Sequence, residues 1–337
     1  MRWSPGLNLL TGENGSGKTN ILEGINIISG WGPLDRGTKT LSIPSWNSGS
    51  TEVQLTGELE SSEIIKVKIS RRYAIRIDDK ASSASELRWK IPVLTFLPDD
   101  MSIVEGSSVF RRRLLDMVLA LIIPPYAMRL SEYRRGVRQK ALFLKRGMPS
   151  MIADRALLPL ASWIWRMREE GVALLADSLS GFEQLAPFGI GLSLKRGGAG
   201  FERDCADDYA KALVVNGERE RAMRFPVVGP HRDDIIITSQ SRPASSALSR
   251  GLRRRTAMAL MLAASESVRR KLGREPVLLL DEVAAELDPA GKEQLFSTLH
   301  ARGGQIFAAT AEPISPAVPC AVYRISSGKI DKIEEKV

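Results

Sequence analysis

A glycine-rich stretch near the start of the chain constrains its fold more than any other feature. Residues 12–19 read Gly-Glu-Asn-Gly-Ser-Gly-Lys-Thr and satisfy the pattern G-x-x-x-x-G-K-[ST]. The apolar run at 6–11 predicts a buried strand before it, and the apolar spacing over 19–29 predicts a helix after it. A strand, a glycine loop and a helix in this order bind phosphate, because backbone N–H groups and the helix N-terminus both favour anions. A chance match in a glycine-rich turn is the alternative.

Each position of this loop has a predicted role in holding a nucleoside triphosphate. Lys18 would place its charge between the β- and γ-phosphates and assist catalysis, and the Thr19 hydroxyl would ligate Mg²⁺. The remaining predicted nucleotide contacts come from Gly12, Glu13, Asn14, Gly15, Ser16, Gly17 and Asn20. ATP and Mg²⁺ are therefore the expected cofactors.

A second predicted element supplies carboxylates. Residues 277–280 are Val-Leu-Leu-Leu and lead into Asp281 and Glu282. A buried strand that ends in an acid has the form of a Walker B motif. Asp281 would then hold Mg²⁺, and Glu282 would orient and deprotonate the attacking water as the second catalytic residue. A solvated acidic turn is the alternative for this string taken alone.

Two short strings predict that a second copy of the chain completes the nucleotide site. About 30 residues before Asp281, the string Ala-Leu-Ser-Arg-Gly-Leu-Arg at 247–253 opens a long helix. ABC-type ATPases carry L-S-x-G-Q at this point, where Ser249 and Gly251 would bind the γ-phosphate held by the other subunit. Asp288 has the position of the D-loop at the seam between two such heads. Ordinary helix caps at Ser249 and Asp288 are the alternatives.

The pattern of the remaining chain predicts an α/β protein: an ABC-type P-loop ATPase head with an antiparallel β lobe and a mostly helical inserted subdomain. Alternating apolar and polar residues predict the β-lobe strands at 53–59 and 64–70, with a third at 73–78. Helical spacing dominates from 107 to 182. We assign 1–105 and 186–337 to the ATPase domain and 106–185 to the helical subdomain.

The charge balance favours polyanionic partners. The net charge is +9 and the pI about 9.7. Six arginines of the helical region are candidate contacts to the DNA backbone: Arg111, Arg112, Arg113, Arg134, Arg135 and Arg138. No aromatic residues are interleaved with them, so duplex contact without base stacking is expected. A solvated helix face with internal ion pairs is the alternative.

Other sequence features exclude whole classes of protein. The N-terminus lacks the layout of a signal peptide, and the longest apolar run, 117–125, is too short to span a bilayer. We therefore expect a soluble, cytoplasmic protein without a membrane partner. The two cysteines, Cys205 and Cys320, have no metal-type spacing and are expected to be free, buried thiols.

Three strings resemble the RecF family of bacterial recombination ATPases, which is related to the SMC group. They are Phe-Leu-Pro-Asp-Asp-Met at 96–101, Arg-Arg-Arg-Leu-Leu-Asp at 111–116 and Val-Gly-Pro-His-Arg-Asp-Asp at 228–234. The resemblance extends from about residue 6 to residue 310. It implies an ABC head with a helical subdomain, an ATP-dependent homodimer, binding of duplex or gapped DNA, and recombinase loading with RecO and RecR.

Two departures from the family pattern leave alternatives open. Leu252 stands where the signature has Gln, and the chain begins only a few residues before the P-loop strand, where the family has a further strand. The short N-terminus implies either that ATP binding is weaker or that the true start of the protein lies upstream of Met1. The chain is then a slow, DNA-stimulated ATPase, an ATP-gated DNA clamp with negligible hydrolysis, or the head of another ABC system with a non-DNA partner. The loop 229–234 reads as a nucleotide-side loop, an interface loop, or a structural turn with Arg232 paired to Asp233.

Overall fold

The chain folds into two compact units in the computed structural model. Unit 1 comprises Met1–Pro98 and Leu272–Val337, and unit 2 comprises Asp99–Lys271. The structure describes residues 2–34, 52–70, 73–186, 189–198, 200, 202–282, 287–311 and 317–336.

The centre of unit 1 is a mostly parallel sheet. Its strands are β1 (Leu7–Thr11), β6 (Val93–Phe96), β10 (Val277–Asp281), β11 (Ile306–Thr310), β12 (Cys320–Ser326) and β13 (Lys329–Lys336). They lie in the order β13-β12-β1-β11-β10-β6, and of these six described strands β13 is the one that pairs antiparallel. Strands β1, β10 and β11 are near-continuous apolar runs because parallel strands are buried on both faces. Helices α1 (Lys18–Ile28), α2 (Ala84–Lys90) and α9 (Pro289–Arg302) complete this part of the unit.

The antiparallel β lobe predicted from the sequence is also present in unit 1. It consists of β2 (Val53–Glu58), β3 (Ile64–Ile69), β4 (Tyr73–Ile77) and β5 (Lys80–Ala81), paired in that order. The alternation in β3 buries Ile65, Val67 and Ile69 in one apolar cluster. Residues i and i+2 of a strand share one face, and this period of two was the signal that predicted the lobe.

Unit 2 joins helices to a small antiparallel sheet. Its helices are α3 (Ser108–Ile122), α4 (Tyr126–Lys145), α5 (Met151–Leu179), α6 (Cys205–Met223), α7 (Ala244–Ala247) and α8 (Arg250–Leu272), which ends at the unit boundary. Its sheet is β7 (Ile190–Lys195), β8 (Asp234–Ser239) and β9 (Arg242–Pro243). Sequence reasoning missed α6. Its exposed pair Val214 and Val215 places apolar residues on the solvent-facing side, which obscures the apolar and polar period of the helix.

The predicted helical subdomain, 106–185, lies entirely within unit 2. Residues 186–271 also belong to this unit, although their sequence was assigned to the ATPase domain. The predicted division into 1–105 with 186–337 and 106–185 is therefore still a proposal for the functional domains.

A buried charge cluster joins the helices of unit 2 to the loop 229–234. Arg168 is fully buried, and its guanidinium donates to Asp116 at 2.9 Å and to Asp233 at 2.6 Å. Asp233 also accepts from Trp165 Nε1 at 2.8 Å and from Gly197 N at 2.7 Å. Burial raises the pKa of Asp233, and the Arg168 charge opposes that shift.

This cluster corrects one expectation for the loop. One of the three alternatives for this loop paired Asp233 with Arg232, but the structure pairs Asp233 with Arg168. The Arg232 guanidinium instead lies over the Phe225 ring, 4.7 Å from its centroid, and donates to Pro226 O at 3.2 Å. The loop is therefore anchored by its buried aspartate, while Arg232 is held at the surface.

Both cysteines are free and buried, as expected. Among the described residues, no helix has the length and apolarity that a membrane span requires.

Candidate nucleotide-binding site

The P-loop connects β1 to α1 in unit 1, as its sequence predicts. All three of its glycines have backbone angles that disfavour other residues: φ is +155° at Gly12, +79° at Gly15 and +110° at Gly17. A Cβ atom on Gly12 would lie 2.3 Å from Ile325 O, so the close approach of β12 also requires glycine here. The loop is closed internally by Ser16 N, which donates to Glu13 O at 3.1 Å.

Lys18 is the first residue of α1, and its side chain is folded back over the loop. Its Nζ donates to Gly12 O at 2.8 Å and to Glu13 O at 3.1 Å, and it is only 5 % exposed. The same nitrogen lies 3.6 Å from Glu282 Oε1. The structure therefore brings the two predicted catalytic side chains, Lys18 and Glu282, together.

The two predicted metal ligands also meet. Thr19 Oγ1 donates to Asp281 Oδ2 at 3.0 Å and lies 3.3 Å from Oδ1. Burial raises the pKa of Asp281, and the hydrogen bond from Thr19 only partly offsets this. A buried carboxylate whose charge is insufficiently compensated fits a cation site, and hydroxyl and carboxylate oxygens are the donors that Mg²⁺ prefers.

The loop has unused hydrogen-bonding capacity directed at its own interior. Ser16 Oγ is buried and has no hydrogen-bond partner among the described residues. Buried polar groups are normally paired, so an orphaned hydroxyl in this loop is consistent with a ligand that would complete it. By contrast, Glu13, Asn14, Gly15, Thr19 and Asn20 are exposed. The loop is thus open on the side where a nucleotide would bind.

Glu282 occupies a strained position at the end of β10. Its φ is +52°, in the left-handed region that non-glycine residues seldom adopt. Its N–H donates to Ala309 O at 3.0 Å, and its Oε2 accepts from Ala311 N at 3.2 Å. These contacts to the neighbouring strand end hold the carboxylate beside Lys18.

The predicted signature residues lie at the start of α8, in unit 2. Ser249 and Gly251 are exposed, and Ser249 Oγ accepts from Leu252 N at a long 3.4 Å. Asp288, in unit 1, accepts from Gly291 N at 3.0 Å and caps α9. Asp288 is therefore the N-cap residue of α9, and this position is compatible with a further role between two subunits. The trans contacts of these three residues remain a proposal.

The candidate DNA-binding arginines fall into two groups. Arg111 forms a bidentate pair with Asp234, at 2.7 and 3.1 Å, Arg112 donates to Asp233 O, and Arg113 pairs with Asp100. These three side chains are half-buried and have partners within unit 2. On α4, Arg134 is 58 % exposed and lies 3.2 Å from Asp116, and Arg135 and Arg138 are exposed. The α4 group is the more accessible of the two.

Sequence reasoning missed the hairpin that supports the P-loop from behind. Gly328, between β12 and β13, donates its N–H to Ser16 O at 2.9 Å. The turn Ser-Gly at 327–328 was visible in the sequence, but nothing there showed that it would contact a loop more than 300 residues away.

Comparisons with known proteins agree with this architecture. The model of the RecF/RecN/SMC N-terminal domain family matches residues 1–315. The DNA replication and repair protein RecF of Heliobacterium modesticaldum is 30 % identical, over 98 % of this chain and 94 % of its own. RecF of Stenotrophomonas maltophilia is 31 % identical, over 91 % and 87 %.

Solved structures confirm the predicted fold class. The recombination mediator protein RecF-ATPrS of the RecFOR pathway superposes with a TM-score of 0.86 at 23 % identity, covering 99 % of this chain and 94 % of that one. An Smc head bound to the C-winged helix domain of ScpA superposes with a TM-score of 0.51 at 14 % identity, covering 99 % and 91 %.

Proposed function

The chain belongs to the RecF family, within the wider RecF/RecN/SMC N-terminal domain family, and from this premise we propose that it is an ATP-dependent DNA-binding protein of recombinational repair. ATP would close two copies of the chain into a homodimer that binds duplex or gapped DNA and aids recombinase loading. RecO and RecR are the proposed partners, since RecF-ATPrS is placed in the RecFOR pathway. We propose that the protein acts in the cytoplasm.

The observation that carries this proposal is the meeting of four side chains from distant parts of unit 1. Lys18 and Thr19 begin α1, Asp281 ends β10, and Glu282 directly follows that strand. Lys18 would bind the β- and γ-phosphates with its ammonium, and the loop glycines would direct N–H groups at them. Thr19 and Asp281 would hold Mg²⁺, which neutralises phosphate charge when bound.

Glu282 is the proposed general base. Its carboxylate is fixed by the Ala311 N–H and faces Lys18, so it can accept a proton from a water that attacks the γ-phosphorus. Lys18 would stabilise the charge that develops on the phosphate oxygens as the bond to the β-phosphate breaks. The proposed activity is slow, DNA-stimulated hydrolysis of ATP to ADP and phosphate.

Dimerisation would complete each site from the other copy. Ser249 and Gly251 are exposed at the start of a 23-residue helix with no acidic residue in its first turn, which suits a γ-phosphate of a second copy. Asp288 would lie at the seam. On DNA, the exposed group Arg134, Arg135 and Arg138 would contact backbone phosphates.

Phosphate release with and without gapped duplex, measured for the parent protein and for Glu282→Gln, tests the proposal. Loss of the general base should lower the rate by about 10²–10⁴ while ATP still binds. Equal rates would instead favour an ATP-gated clamp with negligible hydrolysis, the alternative that Leu252 in the signature supports. Absence of DNA retention at low salt would favour a head with a non-DNA partner.

A further inference from the structure

We propose that a cavity in unit 2 binds an acidic segment of a protein partner, with one bulky apolar side chain of that segment as its anchor. The cavity has a volume of about 430 Å³ and is formed by the end of α4, the start of α5 and one face of α6. It lies wholly within unit 2 and contains none of the residues assigned above to nucleotide or DNA.

The walls of the cavity are largely apolar, and several of these apolar side chains are exposed: Met148, Met151 and Val214. The walls include Leu144, Met148, Met151, Leu158, Leu213 and Val214. Val214 is 84 % exposed, and the neighbouring Ile152 and Val215, outside the cavity, are 80 % and 63 % exposed. Exposed apolar side chains in this number mark a surface that another molecule covers. Ile152 and Val215 each follow a lining residue in the sequence, and a small metabolite inside the cavity would leave both in water.

The accessible charge at the cavity is positive. Arg155 and Arg221 line it and are exposed, and no ion pair or hydrogen bond of either guanidinium appears within the described part of the chain. The two carboxylates that line it share the single positive charge of one buried lysine. Asp154 and Glu220 lie 2.7 and 2.5 Å from the buried Lys140 Nζ.

Further contacts hold these carboxylates in place. Ser150 Oγ donates to Asp154 Oδ2 at 2.8 Å, and Val227 N donates to Glu220 Oε1 at 2.8 Å. The two guanidiniums are therefore the groups left to recognise a ligand. Arginine binds carboxylates in a bidentate fork, and Lys145 and Arg146, exposed at the end of α4, add positive charge nearby.

Apolar walls with two arginines at the rim fit a peptide better than a nucleic acid. Phosphates of a duplex could meet the arginines, but they would leave the cavity and the exposed valines unfilled. A segment with Asp or Glu residues flanking Phe, Leu or Trp fills both, and a buried anchor surrounded by a charged rim is the usual form of an interface hot spot.

The test uses short synthetic acidic peptides with a single Phe, Leu or Trp, labelled for fluorescence anisotropy. The comparison peptides replace the anchor by Ala or the acidic residues by Lys. We expect at least one anchored acidic peptide to bind, and both replacements to weaken binding about tenfold or more. The paired change Arg155→Glu and Arg221→Glu should have a similar effect, which added salt should diminish.

Three variants make the result decisive. Val214→Asp should abolish binding without unfolding the protein, because Val214 is exposed, and a thermal melt checks this. Arg203→Glu, at an exposed arginine outside the cavity, should leave binding unchanged. Lys18→Ala should also bind normally, which separates this site from the ATP-dependent function. Equal binding by peptides without the anchor, or full binding by Val214→Asp, would overturn the proposal.

Discussion

Thr19 and Asp281 are 262 positions apart in the sequence, and the Thr19 hydroxyl lies 3.0 Å from the Asp281 carboxylate. Thr19 lies in the first turn of α1, which follows β1 and the P-loop, and Asp281 ends β10; strands β1 and β10 both flank β11. Parallel strands deliver their C-terminal ends to the same edge of a sheet, which is where open α/β sheets bind ligands. The site therefore follows from topology as much as from motifs.

Lys18→Ala should lower the affinity for ATP about tenfold or more. A charge-assisted contact to phosphate contributes about 1.5–3 kcal/mol, and about 1.4 kcal/mol corresponds to a factor of ten. Titration calorimetry with ATP measures this. Lys80→Ala, at an exposed lysine of β5, is the matched control and should bind normally. Unchanged affinity for ATP in Lys18→Ala would show that Lys18 does not contact the nucleotide.

Asp281→Asn should stabilise the nucleotide-free protein while impairing Mg²⁺-dependent ATP binding. The pKa of Asp281 is raised by burial, so the native state holds this proton more tightly than the unfolded state does. Its ionised form therefore destabilises the fold, and stability is lost as pH rises through the folded pKa. We expect a melting temperature about 1–3 °C above the parent at neutral pH.

The pH dependence of this difference is the control. It should shrink as pH falls toward the ordinary carboxyl pKa of 3.8, because the parent then becomes neutral at this position as well. A difference that stays constant with pH would assign the effect to packing rather than to charge.

Ser249→Ala and Lys18→Ala should complement each other in ATP hydrolysis. Each variant alone lacks a part of every composite site. A mixed dimer regains one complete site, because the Lys18→Ala copy supplies Ser249 to the P-loop of the other. Activity measured over a range of mixing ratios should exceed the sum of the separate activities. No gain on mixing, with both proteins folded, would place Ser249 outside the partner's site.

Arg168→Met should destabilise unit 2 by about 3–5 kcal/mol, because it removes the cation paired with the buried Asp233 and leaves Asp116 with the exposed Arg134. Urea denaturation measures this. Arg134→Met, which removes an exposed partner of the same Asp116, should cost less than about 1 kcal/mol. Similar losses in the free energy of unfolding in the two variants would contradict the claim that Arg168 is the main cation of the buried cluster.

Changing Arg134, Arg135 and Arg138 together to Glu should weaken DNA binding on all sequences alike. If each arginine contacts one phosphate, the slope of log K against log salt should fall in magnitude by about 3. Fluorescence anisotropy with a gapped duplex at several salt concentrations gives this slope. Arg203→Glu is the control. An unchanged slope in the triple variant would show that DNA does not contact these three arginines.

Sequence reasoning predicted the parts of this fold that follow short-range rules. The P-loop, the strand before Asp281 and the alternating strands of the β lobe all appear where residue spacing placed them. The resemblance to RecF was confirmed by relatives that cover nearly the whole chain.

What sequence reasoning missed depends on long-range contacts. Nothing local shows that Asp233 pairs with Arg168 rather than with its neighbour Arg232, because the partner is set by how α5 packs. The same applies to Arg111, whose charge suggested DNA but whose guanidinium pairs with Asp234. Helix α6 was missed because it exposes Val214 and Val215, and these residues now form part of the proposed peptide site.

The most direct test is sedimentation velocity of Glu282→Gln, which should bind ATP without consuming it. With ATP and Mg²⁺ we expect a dimer, and with ADP or without nucleotide a monomer, because only the γ-phosphate would engage Ser249 and Gly251 of a second copy. The same sedimentation coefficient under all three conditions would contradict the account.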